Sequence, residues 1–373
     1  MAGIYVHIPY CKKACHYCDF HFSTNFSTKK ALVTAINKEL TFQKAFVKSK
    51  IETIYFGGGT PSILNLKELT LIFSSIHKNF RIANNPEITI ECNPDDLSSQ
   101  KLHEFIKLGI NRLSVGIQTF DDGFLKFLNR VHSSLEAESS IKKAQDIGFE
   151  NVTIDLIYGL PNNSHKVLES DLQKAISFGV SHISAYCLTV EEKTVFGNWL
   201  KKGKINSPNE DFEAEQFDIV VEYLREKDFE QYEISNFAKS KKYSKHNSNY
   251  WNQTPYLGVG PGAHSFNGKV RQFNVKNNSK YIKSINDGKI PAAIEYLSLN
   301  EKINEYVLTT LRTMWGCDLE LIKKQHNIDF LQKKQKEIKD LIKYELVYFN
   351  ESKLILTKKG KLQADWVTSF LFL

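Results

Sequence analysis

Six short apolar runs recur along the N-terminal half of the chain, each followed by a stretch of helical periodicity. They are GIYVHI (Gly3–Ile8), IETIYF (Ile51–Phe56), EITIEC (Glu87–Cys92), RLSVGI (Arg112–Ile117), NVTIDLI (Asn151–Ile157) and HISAYCL (His182–Leu188). Ile, Val, Thr and Tyr dominate them, as in buried strands. The intervening segments, such as TKKALVTAINKELTFQKAFV and NLKELTLIFSSIHKNF, have amphipathic spacing, and Asn65 is placed to cap the second. Gly109, Gly148 and Gly179 each stand where a helix must close before the next strand. Serial β-then-α units imply a parallel sheet with right-handed crossovers. Six units are too few for a closed eight-stranded barrel. The predicted fold is therefore α/β, with an open or partial (β/α)6 barrel and a doubly wound sheet both compatible with the pattern.

Either architecture gathers reactive groups where the strands end. The sequence obeys that rule. The six runs lead into PYCKKACHYCDF, GGGTPS, ECNPDD, GIQTFDD, DLIYGLP and AYCLT. Thiols, glycines and carboxylates thus collect on one rim, which points to a single site.

Three of the six cysteines, Cys11, Cys15 and Cys18, fall within eight residues. The others are isolated and read as small buried hydrophobes. Three readings compete for the C-x3-C-x2-C cluster. Zinc needs a fourth ligand, which His7, His16 or His21 could supply. An iron–sulfur cluster on three thiolates leaves one iron open to a substrate. Coincidence fits poorly with half of all the cysteines in one short loop.

The spacing of this motif, its place after the first strand and the aromatic Tyr17 before the last cysteine resemble the radical S-adenosylmethionine superfamily. YVHIPYC, GGGTPS, GIQTF, DLIYGLP and HNSNYW narrow the resemblance to the oxygen-independent coproporphyrinogen oxidase family, and within it to the HemW branch. The resemblance spans nearly the whole chain. It implies a [4Fe-4S] cluster on Cys11, Cys15 and Cys18, whose open iron holds S-adenosylmethionine. It places Tyr5, Tyr17, Glu91, Gln118, Arg130 and Asp155 around that cofactor, with Gly58, Gly59 and Thr60 on its methionine part. Tyr186 and Cys187 follow more loosely. Taken one at a time, the charged residues of this set read equally well as surface or ion-pair groups. The glycines of GGGTPS are expected to let the backbone approach a ligand and point amides at it.

HNSNYW (His246–Trp251) is the other informative stretch. Histidine is a common haem ligand, and Tyr250 and Trp251 could cover a flat macrocycle. A packed histidine beside aromatics is the plainer reading. The resemblance favours haem, because H-N-x-x-Y-W marks the HemW branch. His264 in GVGPGAHSF is a second candidate, although its glycines and Pro261 suggest a turn.

Three segments are predicted: 1–195 as the partial barrel, 196–295 as an extension carrying the irregular HNSNYW region, and 296–373 as a winged-helix-like α+β domain. QYEISNFA is read as a strand of the extension. The last segment holds 13 Lys/Arg against 10 Asp/Glu, an excess of only +3, and Arg312 is its sole arginine. That balance disfavours a nucleic-acid partner, as does the mild overall charge of +7. No apolar run approaches the roughly 18 residues of a membrane span. The N-terminal GIYVHI is too short and uncharged for a signal peptide, so a cytosolic location is expected, which leaves room for peripheral membrane contact.

The resemblance implies a haem chaperone that carries haem as cargo and passes it to respiratory or haem-storage haemoproteins. The alternative is radical decarboxylation of coproporphyrinogen III to protoporphyrinogen IX. Those enzymes carry another cysteine two positions after the third cluster cysteine, where this chain has Phe20. They also carry a long N-terminal extension, whereas two residues precede Gly3 here. A radical enzyme acting on nucleic acid is a third reading.

Overall fold

The computed structural model describes all 373 residues. The six expected runs are strands β1 (Ala2–Ile8), β2 (Ile51–Gly58), β3 (Ile82–Cys92), β4 (Arg112–Gln118), β5 (Val152–Tyr158) and β6 (His182–Cys187). They are parallel and adjacent in chain order. β3 starts earlier than expected. Its pairing with β2 jumps from Ile51↔Ile82 to Thr53↔Glu87, so a short irregular stretch is absorbed within the strand.

The sheet continues past both edges of this set. β7 (Glu230–Glu233) and β8 (Asn236–Ala238) add antiparallel beyond β6. QYEISNFA, expected as one strand, is this pair. Beyond β1 come β9 (Tyr256–Val259), parallel to it, then β10 (His264–Phe266), β11 (Val270–Asn274) and β12 (Ala292–Tyr296), all antiparallel. The result is one twelve-stranded sheet. Residues 196–295 thus lengthen the barrel wall on both sides.

One apolar core of 53 residues runs through this sheet and its helices, from Ile4, Val6 and Ile8 to Phe237, Leu257 and Tyr281. A separate core of 16 residues begins at Ile303 and belongs to the C-terminal domain. That domain holds helix Leu299–Leu311 and the small sheet β13 (Cys317–Asp318), β15 (Lys353–Leu356) and β14 (Val347–Asn350), in that spatial order. After Ile328 the domain forms two helices, Phe330–Lys333 and Gln335–Lys343, separated at Lys334. The ion pairs Arg312–Glu233 (3.2 Å) and Arg271–Glu305 (2.8 Å) join it to the barrel. No helix is long and apolar enough to cross a membrane.

HNSNYW departs from the irregular structure expected of it. It lies in a helix, Lys245–Trp251. Its Asn- and Ser-rich sequence has low helix propensity. Tertiary contacts supply what propensity does not. Ser244 accepts a hydrogen bond from the Asn247 amide, and Glu87 on β3 accepts from the amides of Lys245 (3.0 Å) and His246 (2.9 Å). A carboxylate on the orphan amides of a first turn is a favourable, charge-assisted contact.

Another buried carboxylate fixes the turn between β9 and β10. Glu39, on helix Lys29–Phe42, accepts from the Gly260 amide (2.8 Å), Asn274 Nδ2 (2.7 Å) and the Tyr281 hydroxyl (2.5 Å). Burial pushes its carboxyl from the ordinary 4.5 up to about 7. The folded state therefore holds this proton more tightly than the unfolded chain does. The associated stabilisation is complete below pH 4.5 and is lost as pH rises to about 7. Urea unfolding of wild type and Glu39→Gln should show it. The stability difference in favour of wild type is expected to be larger at the acid end of that window, by about 3 kcal/mol.

Candidate functional site

The C-terminal ends of β1–β6 open into one cavity of about 1150 Å³. Every residue expected at the site lines it except His246. Cys11, Cys15 and Cys18 project from the loop after β1. That loop is tied down by Cys11 N–H to Ser23 O (3.1 Å), His16 N–H to Leu128 O (3.1 Å) and Asn129 Nδ2 to Ala14 O (2.6 Å). Gly59 lets it sit close. A Cβ there would lie 2.8 Å from the Tyr10 backbone and 3.0 Å from Cys11 Sγ. Thr60 Oγ1 donates to Cys11 Sγ (3.4 Å), and Arg130 Nη1 donates to Cys15 Sγ (3.4 Å).

Of the histidines that a zinc site would need, His7 has both ring nitrogens bonded, and His16 and His21 have one each. His16 Nδ1 bonds Phe127 O (2.9 Å), His7 bonds the Tyr5 hydroxyl (3.0 Å) and His21 O (3.1 Å), and His21 Nε2 bonds Asn278 (2.8 Å). No trio of His, Cys, Asp or Glu is gathered around a single ion position. The three thiols instead face the cavity separately, which suits attachment to different irons of a cluster. Burial pushes the Cys11 thiol up to about 11, so a cationic metal centre is what would draw its proton off.

The floor is polar and buried. Glu91 accepts from the Tyr55 hydroxyl (2.8 Å) and the Gly58 amide (3.1 Å), and burial raises its carboxyl to about 7. Asp155 accepts from Ser114 (3.0 Å), and burial raises it to about 6. Arg130 donates to Asn93 Oδ1 and Gly116 O, both at 2.7 Å, and has no carboxylate partner. Gln118 holds a left-handed backbone, φ 70°, at the end of β4. Its side chain packs where a Cβ on Gly116 would lie only 2.8 Å away. Tyr17, within the cysteine loop, packs against the apolar cluster of Leu128, Ile157, Leu160, Leu188 and Phe196, and Tyr186 and Cys187 end β6 at the rim.

The amides of GGGTPS behave otherwise than expected. Gly58 gives its amide to Glu91, and Gly59 gives its own to Ile8 O (2.9 Å). The glycines therefore provide close approach, while their amides are spent inside the protein. Two site residues escaped the sequence reading. Asn93 bridges Thr60 (3.3 Å) and Arg130. Arg112, 1% exposed, has only Thr153 as a side-chain partner (2.6 Å) and borders the cavity floor. A charged residue opening an otherwise apolar strand was the available signal for it.

A profile of the radical SAM superfamily matches residues 5–175, and one of the HemN C-terminal domain matches 297–362. The heme chaperone HemW of Bacillus subtilis is 36% identical over 98% of both chains. That of Mycobacterium tuberculosis is 31% identical over 99% of this chain and 94% of its own. The chain belongs to the HemW family. The structure of coproporphyrinogen III oxidase (HemN) from Escherichia coli, at 22% identity, superposes with a TM-score of 0.86 over 100% of this chain and 90% of its own. This likeness shows that the fold is of the radical SAM type.

Within this HemW-family cavity, Tyr250 and Trp251 form part of the wall. His246 sits behind them, 1% exposed. Its Nδ1 bonds Thr53 Oγ1 (2.8 Å) and its Nε2 bonds the Tyr250 hydroxyl (2.9 Å). Tyr55 stacks on the ring at 4.9 Å. Burial holds it neutral, lowering its pKa to about 3. With both nitrogens occupied, His246 in this arrangement has none to offer an iron, unlike the role expected for it. It braces Tyr250 against β2. His246→Ala should cost about 2–4 kcal/mol in urea unfolding, from the cavity and two orphaned buried hydroxyls.

Proposed function

We propose that this chain is a haem chaperone. It holds a [4Fe-4S] cluster on Cys11, Cys15 and Cys18 and binds S-adenosylmethionine beside it. It carries haem in the rest of the same cavity and passes it to acceptor haemoproteins in the cytosol or at a membrane surface. The observation that carries this reading is convergence. Three separate thiols, an unpaired buried guanidinium and an aromatic wall share one cavity large enough for more than a cofactor.

The residues divide the work. Arg130 is the one buried cation beside the thiols that lacks a counter-ion, and it suits the carboxylate of an amino-acid cofactor. Glu91 and Asp155 offer acceptors to ammonium and hydroxyl groups, with Tyr5, Tyr17, Gln118, Thr60, Tyr186 and Cys187 completing the enclosure. Gly58 and Gly59 leave the space for it. When bound, the cluster and S-adenosylmethionine supply one-electron chemistry. The surrounding burial excludes water from that corner.

Radical decarboxylation of coproporphyrinogen is the second reading, supported by the fold shared with the oxidase. Phe20 speaks against it. The side chain is 74% exposed at the cavity edge and puts an inert ring where those enzymes carry a thiol.

Anaerobic purification and cluster reconstitution test the proposal. Cys11→Ala, Cys15→Ala and Cys18→Ala should each lose the brown charge-transfer absorbance and bound iron. Stoichiometric zinc without iron in the wild type would overturn the cluster. Arg130→Met should weaken S-adenosylmethionine binding by about 10–100-fold in calorimetry, the effect of losing a charged hydrogen bond. Added haem should give a shifted Soret band and then leave for an apo-haemoprotein. Reduced holoprotein that converts coproporphyrinogen III to protoporphyrinogen IX would establish the second reading instead.

A further inference from the structure

Two polar rungs cross from β4 to β5 inside the barrel. Alternate residues of a strand share a face. Arg112, Ser114 and Gly116 of β4 line the cavity, as does Asp155 of β5. Thr153 stands two residues before Asp155 and shares its face. In the upper rung, Ser114 Oγ donates to Asp155 Oδ2 (3.0 Å). In the lower rung, Arg112 Nη2 donates to Thr153 Oγ1 (2.6 Å). Arg112 is thereby anchored one layer beneath Asp155, without forming an ion pair.

A guanidinium 1% exposed, with no anion against it and its Nε unpartnered, is costly. Its surroundings do not repay that cost by direct contact. His182 and His246 are held neutral by burial, and the Arg112 charge adds to the effect. Glu87 accepts from the amides of Lys245 and His246, and Glu233 pairs with Arg312. Glu91 accepts from Tyr55 and Gly58. Asp155 is the carboxylate left for Arg112 to serve.

Tyr55 on β2, Glu91 on β3, Arg112 on β4, Tyr186 on β6 and Arg130 after helix Asp122–Phe127 are the titratable groups facing Asp155. Ser184 stands opposite it in the β5–β6 register and adds a hydrogen bond. Burial raises the Asp155 carboxyl. The two serines, Arg112 and Arg130 act against that rise, while Glu91 brings like charge. Arg130 already donates to Cys15 and, under the proposed function, meets the carboxylate of the cofactor. Arg112 has no such second duty. The ribose of that cofactor presents two hydroxyl donors. An ionised carboxylate accepts both, whereas a protonated one would offer a competing donor.

We infer that Arg112 is a positioning residue for S-adenosylmethionine: from the lower rung, anchored by Thr153, it holds Asp155 as the double acceptor that receives the ribose hydroxyls. This rests on the cofactor part of the proposed function and adds a residue that acts through Asp155.

S-adenosylmethionine is titrated calorimetrically into the anaerobically reconstituted full chain across a range of pH. Arg112→Met should bind about tenfold more weakly than wild type near pH 6 and come within about twofold near pH 9, where Asp155 ionises unaided. Arg112→Lys keeps the charge and should follow the wild-type profile. In the Asp155→Asn background, Arg112→Met should change nothing further. A loss by the same factor at every pH, or one that persists in the Asp155→Asn background, would make Arg112 merely structural and overturn the inference. A second readout needs no neutral variant at Arg112 and no bound ligand. In wild type carrying carbon-13 at its aspartate carboxyls, the NMR signal missing from Asp155→Asn should titrate at about pH 6 or below. A midpoint of about 7 or higher would show that Arg112 does not keep Asp155 ionised. If wild type binds no S-adenosylmethionine at any pH, the cofactor reading fails, and the carboxyl titration still decides the role of Arg112.

Discussion

The contact on which the site depends is the one between two loops, the cysteine loop after β1 and the glycine loop after β2. Gly59 donates its amide to Ile8 O and, having no side chain, leaves the space into which the Tyr10 backbone and Cys11 Sγ come, 2.8 and 3.0 Å from where a Cβ would stand. Parallel pairing of β1 with β2 brings both loops to the same level. Any larger residue at Gly59 would push the first thiol away from Thr60 and displace the whole cysteine loop.

The electrostatics of the cavity follow from burial. The floor is buried, so Glu91 and Asp155 are drawn toward neutrality while two guanidiniums, Arg112 and Arg130, stay without carboxylate partners. Such an arrangement is costly for an empty protein and favourable for one whose ligands bring their own charges. Stability is spent there and recovered elsewhere, in the continuous apolar core beneath the sheet. The chain's extra edge strands then enlarge the cavity sideways. β9–β12 add a wall that six βα units alone would not have.

The two histidine candidates illustrate how context decides a residue's chemistry. His246 belongs to the recognisable motif, yet its helix is pulled against β2 and β3 by Glu87 and Thr53, and its ring is consumed in packing. His264 belongs to what reads as a turn, yet the hairpin register points it into the cavity with its nitrogens free. Motif membership marks a resemblance. It does not say which atoms are exposed.

The barrel strands, their order and the rim of functional groups were legible in the sequence, because period-two apolar runs, capped helices and strand-end glycines are local signals. So were the three thiols and nearly every expected residue that lines the cavity beside them. The helical state of HNSNYW was not, since Glu87 stabilises it from a strand roughly 160 residues away in the chain. Nor were the spent amides of Gly58 and Gly59, the bridging Asn93, the buried Arg112 or the joining of β9–β12 to the open edge at β1. These depend on pairing between distant segments. By itself the sequence determined the βα architecture and the place of the three-cysteine loop at its rim. Only the tertiary structure decided which polar groups keep a free valence toward the cavity, because hydrogen-bond partners are chosen by distance in space.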